Sequence, residues 1–198
     1  MSTWISKTRT SAAFLIMLAG LAACQQMPGV ATRGTTLAPE IALLGESFTV
    51  RGPASYCPDP DTAREAGDAA SVVLGRCTET ADAPPAILTV TVGPAGSGSV
   101  MAAGGPALVA FFTSPAGRST LSARGRAADI RVAKALERDG ALFLRLADRG
   151  GAPYWRGMSA MAGRLVTISA RGDDLPDTSA FDLVRDAIKA VRRANPAN

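Results

Sequence analysis

Apolar residues recur along the chain with two spacings, and each spacing marks a kind of element. In "PAILTVTVG", Leu88, Val90 and Val92 alternate with Ile87, Thr89 and Thr91. This is the period-two pattern of a half-buried strand, written in β-branched residues that suit a pleated backbone. "ESFTVRGP" predicts a shorter strand with Phe48 and Val50 on one face, and "ASVVLGRC" predicts another that carries Cys77. "ADIRVAKALERDGALFLRLADRG" reads as a hairpin, with Asp139-Gly140 as its turn and Leu142, Leu144 and Leu146 sharing a face. A second hairpin, "YWRGMSAMAGRLVTISARG", turns near Ala162-Gly163 and sets Val166, Ile168 and Ala170 on one face. The spacing then changes to that of a helix: Phe181, Val184, Ile188 and Val191 form one stripe of "TSAFDLVRDAIKAVRRAN". Thr178 or Ser179 can cap this helix, and Arg192 with Arg193 suits the negative end of its dipole.

"PALVAFFTSPAGRSTLSARG" is also predicted helical, divided in two at Ser114-Pro115, where an N-cap precedes a proline at the first helical position. Two other stretches break the periodicity. "YCPDPDTAREAG" is expected to be a proline-punctuated loop with one helical turn, and "PAGSGSVMAAGG" a flexible glycine-rich surface loop. The order is strands, helices, two hairpins and a helix, with no β-α-β alternation. It predicts an α+β fold: an antiparallel β-sheet with short helices after the third strand and a C-terminal amphipathic helix. That order of elements resembles the α-β-α sandwich of PsbP and Mog1-like proteins, a resemblance of architecture that carries no function.

The amino terminus follows another logic. Lys7 and Arg9 precede an apolar run from Ala12 to Ala23 that ends at a cysteine. The run falls short of the ~20 residues needed to cross a bilayer, and its layout is that of a cleaved secretory signal. Leu21-Ala22-Ala23-Cys24 resembles the bacterial lipobox. The resemblance implies that Cys24 carries a diacylglyceryl group and becomes the acylated amino terminus after residues 1–23 are removed. Several acyl chains anchor stably where one is marginal. Gln25 stands where an aspartate favours retention in the inner membrane, so the resemblance implies a periplasm-facing protein with the outer membrane favoured. Residues 24–44 are expected to form the lipid anchor and a tether, whose apolar "IALLG" has the option of docking on the domain. Residues 45–198 are expected to form a single periplasmic globular domain.

Composition narrows the chemistry. The chain has no histidine, which removes Ser-His-Asp and Cys-His catalysis and the commonest metal ligand. Of three lysines, Lys7 is discarded with the signal, Lys134 sits in a predicted strand and Lys189 on the polar face of the last helix, with no S-x-x-K arrangement. The glycine-rich "GPAGSGSVMAAGG" lacks both a Gly-Lys-Ser/Thr ending and a G-x-G-x-x-G match, so it offers no phosphate-loop signature. The charge after processing, about +2, is too small and dispersed for nucleic acid.

With Cys24 assigned to the lipid, Cys57 and Cys77 are left as an even pair in an oxidising compartment. A disulfide between them is the expected use. Arg118, Arg124, Arg126 and Arg131 recur in "GRSTLSARGRAADIR", either as a solvated surface or as a site for lipid A phosphates or another anionic envelope component. Asp59, Asp61 and Glu65 form the tightest carboxylate cluster. They suit Ca²⁺ or an acid-base pair, or more plainly a helical turn capped by Asp59 with Pro60 as its first residue. Tyr154, Trp155 and Arg156 have an interaction-site composition, although strand alternation sends at least one aromatic inward.

The expectation from sequence is a non-enzymatic lipoprotein, membrane-anchored through Cys24 and stapled by Cys57 and Cys77. It would serve a binding, assembly or accessory role with an envelope protein or anionic envelope component. No cofactor is implied. The alternative is a periplasmic hydrolase or Ca²⁺-dependent enzyme using Asp59, Asp61 and Glu65.

Overall fold

Asp139 and Gly140 both adopt left-handed backbone, with φ of 54° and 68°, the geometry of a two-residue hairpin turn. In the computed structural model, which describes residues 37–78 and 82–196, this turn joins two strands of a seven-stranded sheet. Cys24, the lipobox and the signal lie outside the described residues.

The strands, in chain order, are β1 (Glu40–Leu43), β2 (Phe48–Arg51), β3 (Tyr56–Ala66), β4 (Ala69–Arg76), β5 (Ile87–Val92), β6 (Ile130–Arg138), β7 (Ala141–Asp148), β8 (Pro153–Met161) and β9 (Arg164–Arg171). Helices α1 (Gly105–Thr113) and α2 (Pro115–Leu121) follow β5, and α3 (Asp177–Ala194) ends the fold. The order across the main sheet is β3-β4-β5-β9-β8-β7-β6, with every neighbouring pair antiparallel. The fold is therefore α+β, as the pattern predicts.

Strand alternation divides the apolar residues between two cores. On one face, Leu88 and Val90 of β5, Val166 and Ile168 of β9 and Phe143 of β7 pack with Val184, Ile188 and Val191 of α3. The β1-β2 hairpin extends this core with Leu43, Phe48 and Val50, so "IALLG" docks on the domain as a strand. On the other face, Leu142, Leu144 and Leu146 of β7 pack with Tyr154 and Met158 of β8, and Leu108, Phe112 and Leu121 of α1 and α2 cover them. Burying one such side chain contributes about 1.5–3 kcal/mol. All buried residues of both cores lie between Leu43 and Val191.

Ser114 caps α2 as expected, accepting from the Gly117 N–H at 3.1 Å. Three local expectations are corrected. "YCPDPDTAREAG" is no loop with a helical turn, because all but its last residue form β3, and Asp59 caps no helix. Tyr56 and Pro58 are buried there, and pairing with β4 outweighs the local turn signals. β3 is an edge strand, where proline costs no ladder bond on the open side. The turn chemistry survives as a shift in register between Asp59 and Arg64.

The glycine-rich stretch is no flexible loop: Ser97–Ala103 form a 3₁₀ helix. It is pinned to the second hairpin by the Gly98 N–H on the Gly163 carbonyl at 3.1 Å and by Ser97 Oγ, which accepts from the Leu165 N–H at 2.9 Å. A Cβ on Gly98 would meet the Gly163 and Arg164 backbone at 3.0–3.1 Å, so only glycine fits without a shift. Finally, neither Thr178 nor Ser179 caps α3. Pro176 holds that position, and the first helical residue, Asp177, turns its carboxylate to the sheet.

Candidate functional site

α1 and α2 cover β6, β7 and part of β8, the 3₁₀ helix meets β9 at its Leu165 end, and the same face of β5 and of β9 beyond Leu165 is left without an α-helix among the described residues. Along that uncovered half, register sets Thr89 opposite Ser169 and Thr91 opposite Thr167. These four hydroxyls, with Arg156 and Arg171, line a shallow depression of about 300 Å³. Arg156 and Arg171 also line an adjoining depression of about 250 Å³ beneath the end of α2, with Arg124, Asp148, Arg149 and Tyr154. Two arginines thus stand at the junction of a hydroxyl-lined surface and a basic recess.

Their positions follow from the strands. Trp155 pairs with Ala170 and Leu146 with Tyr154, which brings Arg171, Tyr154 and Asp148 side by side from β9, β8 and β7. The Arg171 guanidinium lies 3.5 Å from the centre of the Tyr154 ring and continues to Asp148, where Nη2 donates to Oδ2 at 2.7 Å. The Tyr154 hydroxyl donates to Oδ1 of the same carboxylate at 3.2 Å. Arg156 stands 5.7 Å from the ring centre, and its Nε donates to Ser169 Oγ at 3.0 Å. Burial pushes the Tyr154 phenol above its ordinary value; Arg156 and Arg171 oppose that shift, and Asp148 adds to it. The phenol is therefore a neutral donor at pH 7 rather than a base.

Below the end of α2, Asp129 is buried and held by Arg126 at 2.9 and 3.2 Å and by Arg124 at 3.3 Å. The Arg126 hydrogen bonds are the main reason that its carboxyl lies below the ordinary carboxylate range, with Arg126, Arg124 and Arg149 charges adding and burial opposing.

The residues singled out from sequence are divided by this geometry. Tyr154 and Arg156 face the recess, whereas Trp155 points to the opposite face. There its Nε1 donates to Asp177 Oδ1 at 3.0 Å and its ring packs edge-on against Phe181 at 4.9 Å. Cys57 and Cys77 form the disulfide, joining β3 to the residue after β4. Asp59 Oδ1 accepts from the Asp61 N–H at 3.0 Å, a local bond of the bulged edge strand, and Glu65 Oε1 accepts from the Leu44 N–H at 2.6 Å, which ties β3 to the β1-β2 hairpin. Among the described residues no three such side chains converge as metal ligands.

The arginine-rich stretch also separates: Arg124 and Arg126 hold Asp129, Arg118 donates back to the Thr113 carbonyl at 3.1 Å, and Arg131 is exposed on β6. Asp148, Arg149 and Arg171 were absent from the sequence-derived candidates. The only advance signal was the run of polar positions alternating with Leu88, Val90, Val166 and Ile168.

Chemically, the site offers fixed guanidinium donors, hydroxyls and a neutral phenol. That set is chemically complementary to an anion or a hydroxyl-bearing ligand. In comparisons with known proteins, no family model matches the chain, and no curated protein matches it. Among solved structures, the chain is similar to one described as a mutant of protein Mog1, with 9% identity over 78% of this chain and 93% of that one, at a TM-score of 0.40.

Proposed function

We propose that this chain is a lipid-anchored, non-enzymatic binding module of the bacterial cell envelope and that the uncovered half of its sheet is its working surface. The anchor rests on Leu21-Ala22-Ala23-Cys24, and the disulfide is in keeping with an oxidising compartment. One observation carries the binding role: Arg156 and Arg171 flank a row of hydroxyls on a part of the sheet that no described α-helix covers. Thr89, Thr91 and Thr167 have no hydrogen-bond partner on their hydroxyls among the described residues, so a ligand finds their donors and acceptors free. The alternative enzyme at Asp59, Asp61 and Glu65 gains no support, because Asp59 and Glu65 are engaged by backbone N–H groups.

Intact-mass spectrometry of the membrane-extracted protein tests the anchor. The expected product is cleaved before Cys24, carries acyl chains and gains two hydrogens on reduction, and Cys24→Ala abolishes the acylation. An unlipidated chain cut elsewhere overturns the anchor. Hydrolysis of an envelope ester or glycoside that disappears in Asp59→Ala or Glu65→Ala overturns the non-enzymatic part.

A further inference from the structure

The end of the sheet that carries the arginines is also the end at which the chain enters the fold. Leu37 is the first described residue, and its Cδ1 comes within 3.8 Å of the Cβ position of Gly75. Next to it, the Ala38 N–H donates to the Pro58 carbonyl at 3.1 Å. Register carries this end across the sheet: Cys57 is opposite Gly75, Leu74 opposite Leu88, Ile87 opposite Arg171, and Ile130 opposite Asp148. The same end therefore holds Arg76, Ile87, Arg171, Tyr154 and Arg149.

We infer that this strand end faces the bilayer and that Arg149, Arg156 and Arg171 take the phosphate of a lipid headgroup there. The inference rests on the lipid-anchor reading and names the ligand of the same site. Only twelve residues separate Cys24 from Leu37. At ~3.3–3.6 Å per residue they span at most about 45 Å, so the point of entry is the part of the domain held nearest the membrane.

Charge fits that placement. Arg149 and Arg156 form no ion pair among the described residues, and Arg171 shares Asp148 with the Tyr154 hydroxyl. Of the facing carboxylates, Asp129 is neutralised by Arg124 and Arg126, while Asp173 and Asp174 lie past β9 on the rim of the neighbouring depression. A guanidinium fork meets two phosphate oxygens at once, and stacking on Tyr154 holds Arg171 in place for it. Ile87, 57% exposed on the same rim, offers an apolar side chain to the acyl boundary.

The test is co-sedimentation of the unlipidated chain begun at Gln25, which keeps every described residue, with vesicles of phosphatidylcholine alone or with about one-third phosphatidylglycerol. Binding is expected only with the anionic vesicles and weakens as salt rises. Arg149→Ala, Arg156→Ala and Arg171→Ala each weaken it about fivefold, whereas Arg138→Ala, at the opposite strand end, leaves it unchanged. Arg149 is exposed and forms no ion pair among the described residues, so its variant is expected to read binding with little change in folding, and thermal melts check all three.

Three results overturn the inference: equal binding to both vesicles, no binding by the folded chain, or an Arg138→Ala loss as large as that of Arg171→Ala. Full displacement by millimolar inorganic phosphate also overturns it, in favour of a soluble phosphate ligand. The probe carries no lipid, so its outcome is independent of the mass measurement on Cys24, and the two readings fail separately.

Discussion

β9 carries two different surfaces on one backbone. Val166, Ile168 and Ala170 are buried against α3 and the β1-β2 hairpin, whereas Thr167, Ser169 and Arg171 occupy the face that α1 and α2 leave uncovered. The first surface is apolar, continuous across six strands of the sheet, and closed by a helix whose stripe of Val184, Ile188 and Val191 matches it. The second is apolar only under α1 and α2 and changes to hydroxyls and guanidinium groups beyond them. Stability resides in the covered surface, and the binding proposed above is assigned to the open one, because a hydroxyl or guanidinium facing water is free to exchange that water for a ligand.

The largest test of this contrast is Ile168→Ala, expected to cost about 4 kcal/mol in urea denaturation, since it leaves a cavity beneath α3. A loss below 1 kcal/mol would show that the α3 face is not where stability resides. Next is the disulfide, which stitches the β3 edge independently of either face. Replacing both Cys57 and Cys77 by serine is expected to cost about 3 kcal/mol through the loop it opens, with anionic-vesicle binding retained.

A smaller effect concerns pH. The Asp129 carboxyl is depressed below its ordinary 3.8 by Arg126, so its contribution is complete above that value and lost as pH falls through the lower, folded-state value. Asp129→Asn should flatten this acid limb in a pH series of denaturation midpoints, and an unchanged acid limb would count against the Arg124-Arg126-Asp129 cluster as a stabilising contact. The smallest expected effect is that of Thr167→Ala, one residue from Ile168 and on the open face, at less than about 0.5 kcal/mol.

Much of the fold was legible because one face of most strands is apolar, and alternation then identifies strand and face together. β5 and both late hairpins are legible this way, and the Ser114-Pro115 break is legible from its capping chemistry. β3 was hidden because Pro58, Asp59, Pro60 and Asp61 carry strong local turn signals, and its pairing with β4 and its bond to Cys77 are distant in sequence. The pinned 3₁₀ helix was hidden for a related reason, since its anchors, Gly163 and Leu165, lie some 65 residues further on. Tyr154 and Arg156 could be nominated from composition, but the partners that make them a site come from two other strands.

By itself the sequence determined the α+β class, the inward sets of β5, β7, β9 and α3, the cysteine pair and the lipobox-like segment. Each is a local property, either a period along one element or a motif a few residues long. The tertiary structure decided which face stays open and which side chains meet there. Arg171 reaches Asp148 across Tyr154 only because three antiparallel strands are aligned in one register. Register is set by packing across the sheet, and no stretch of chain encodes it alone.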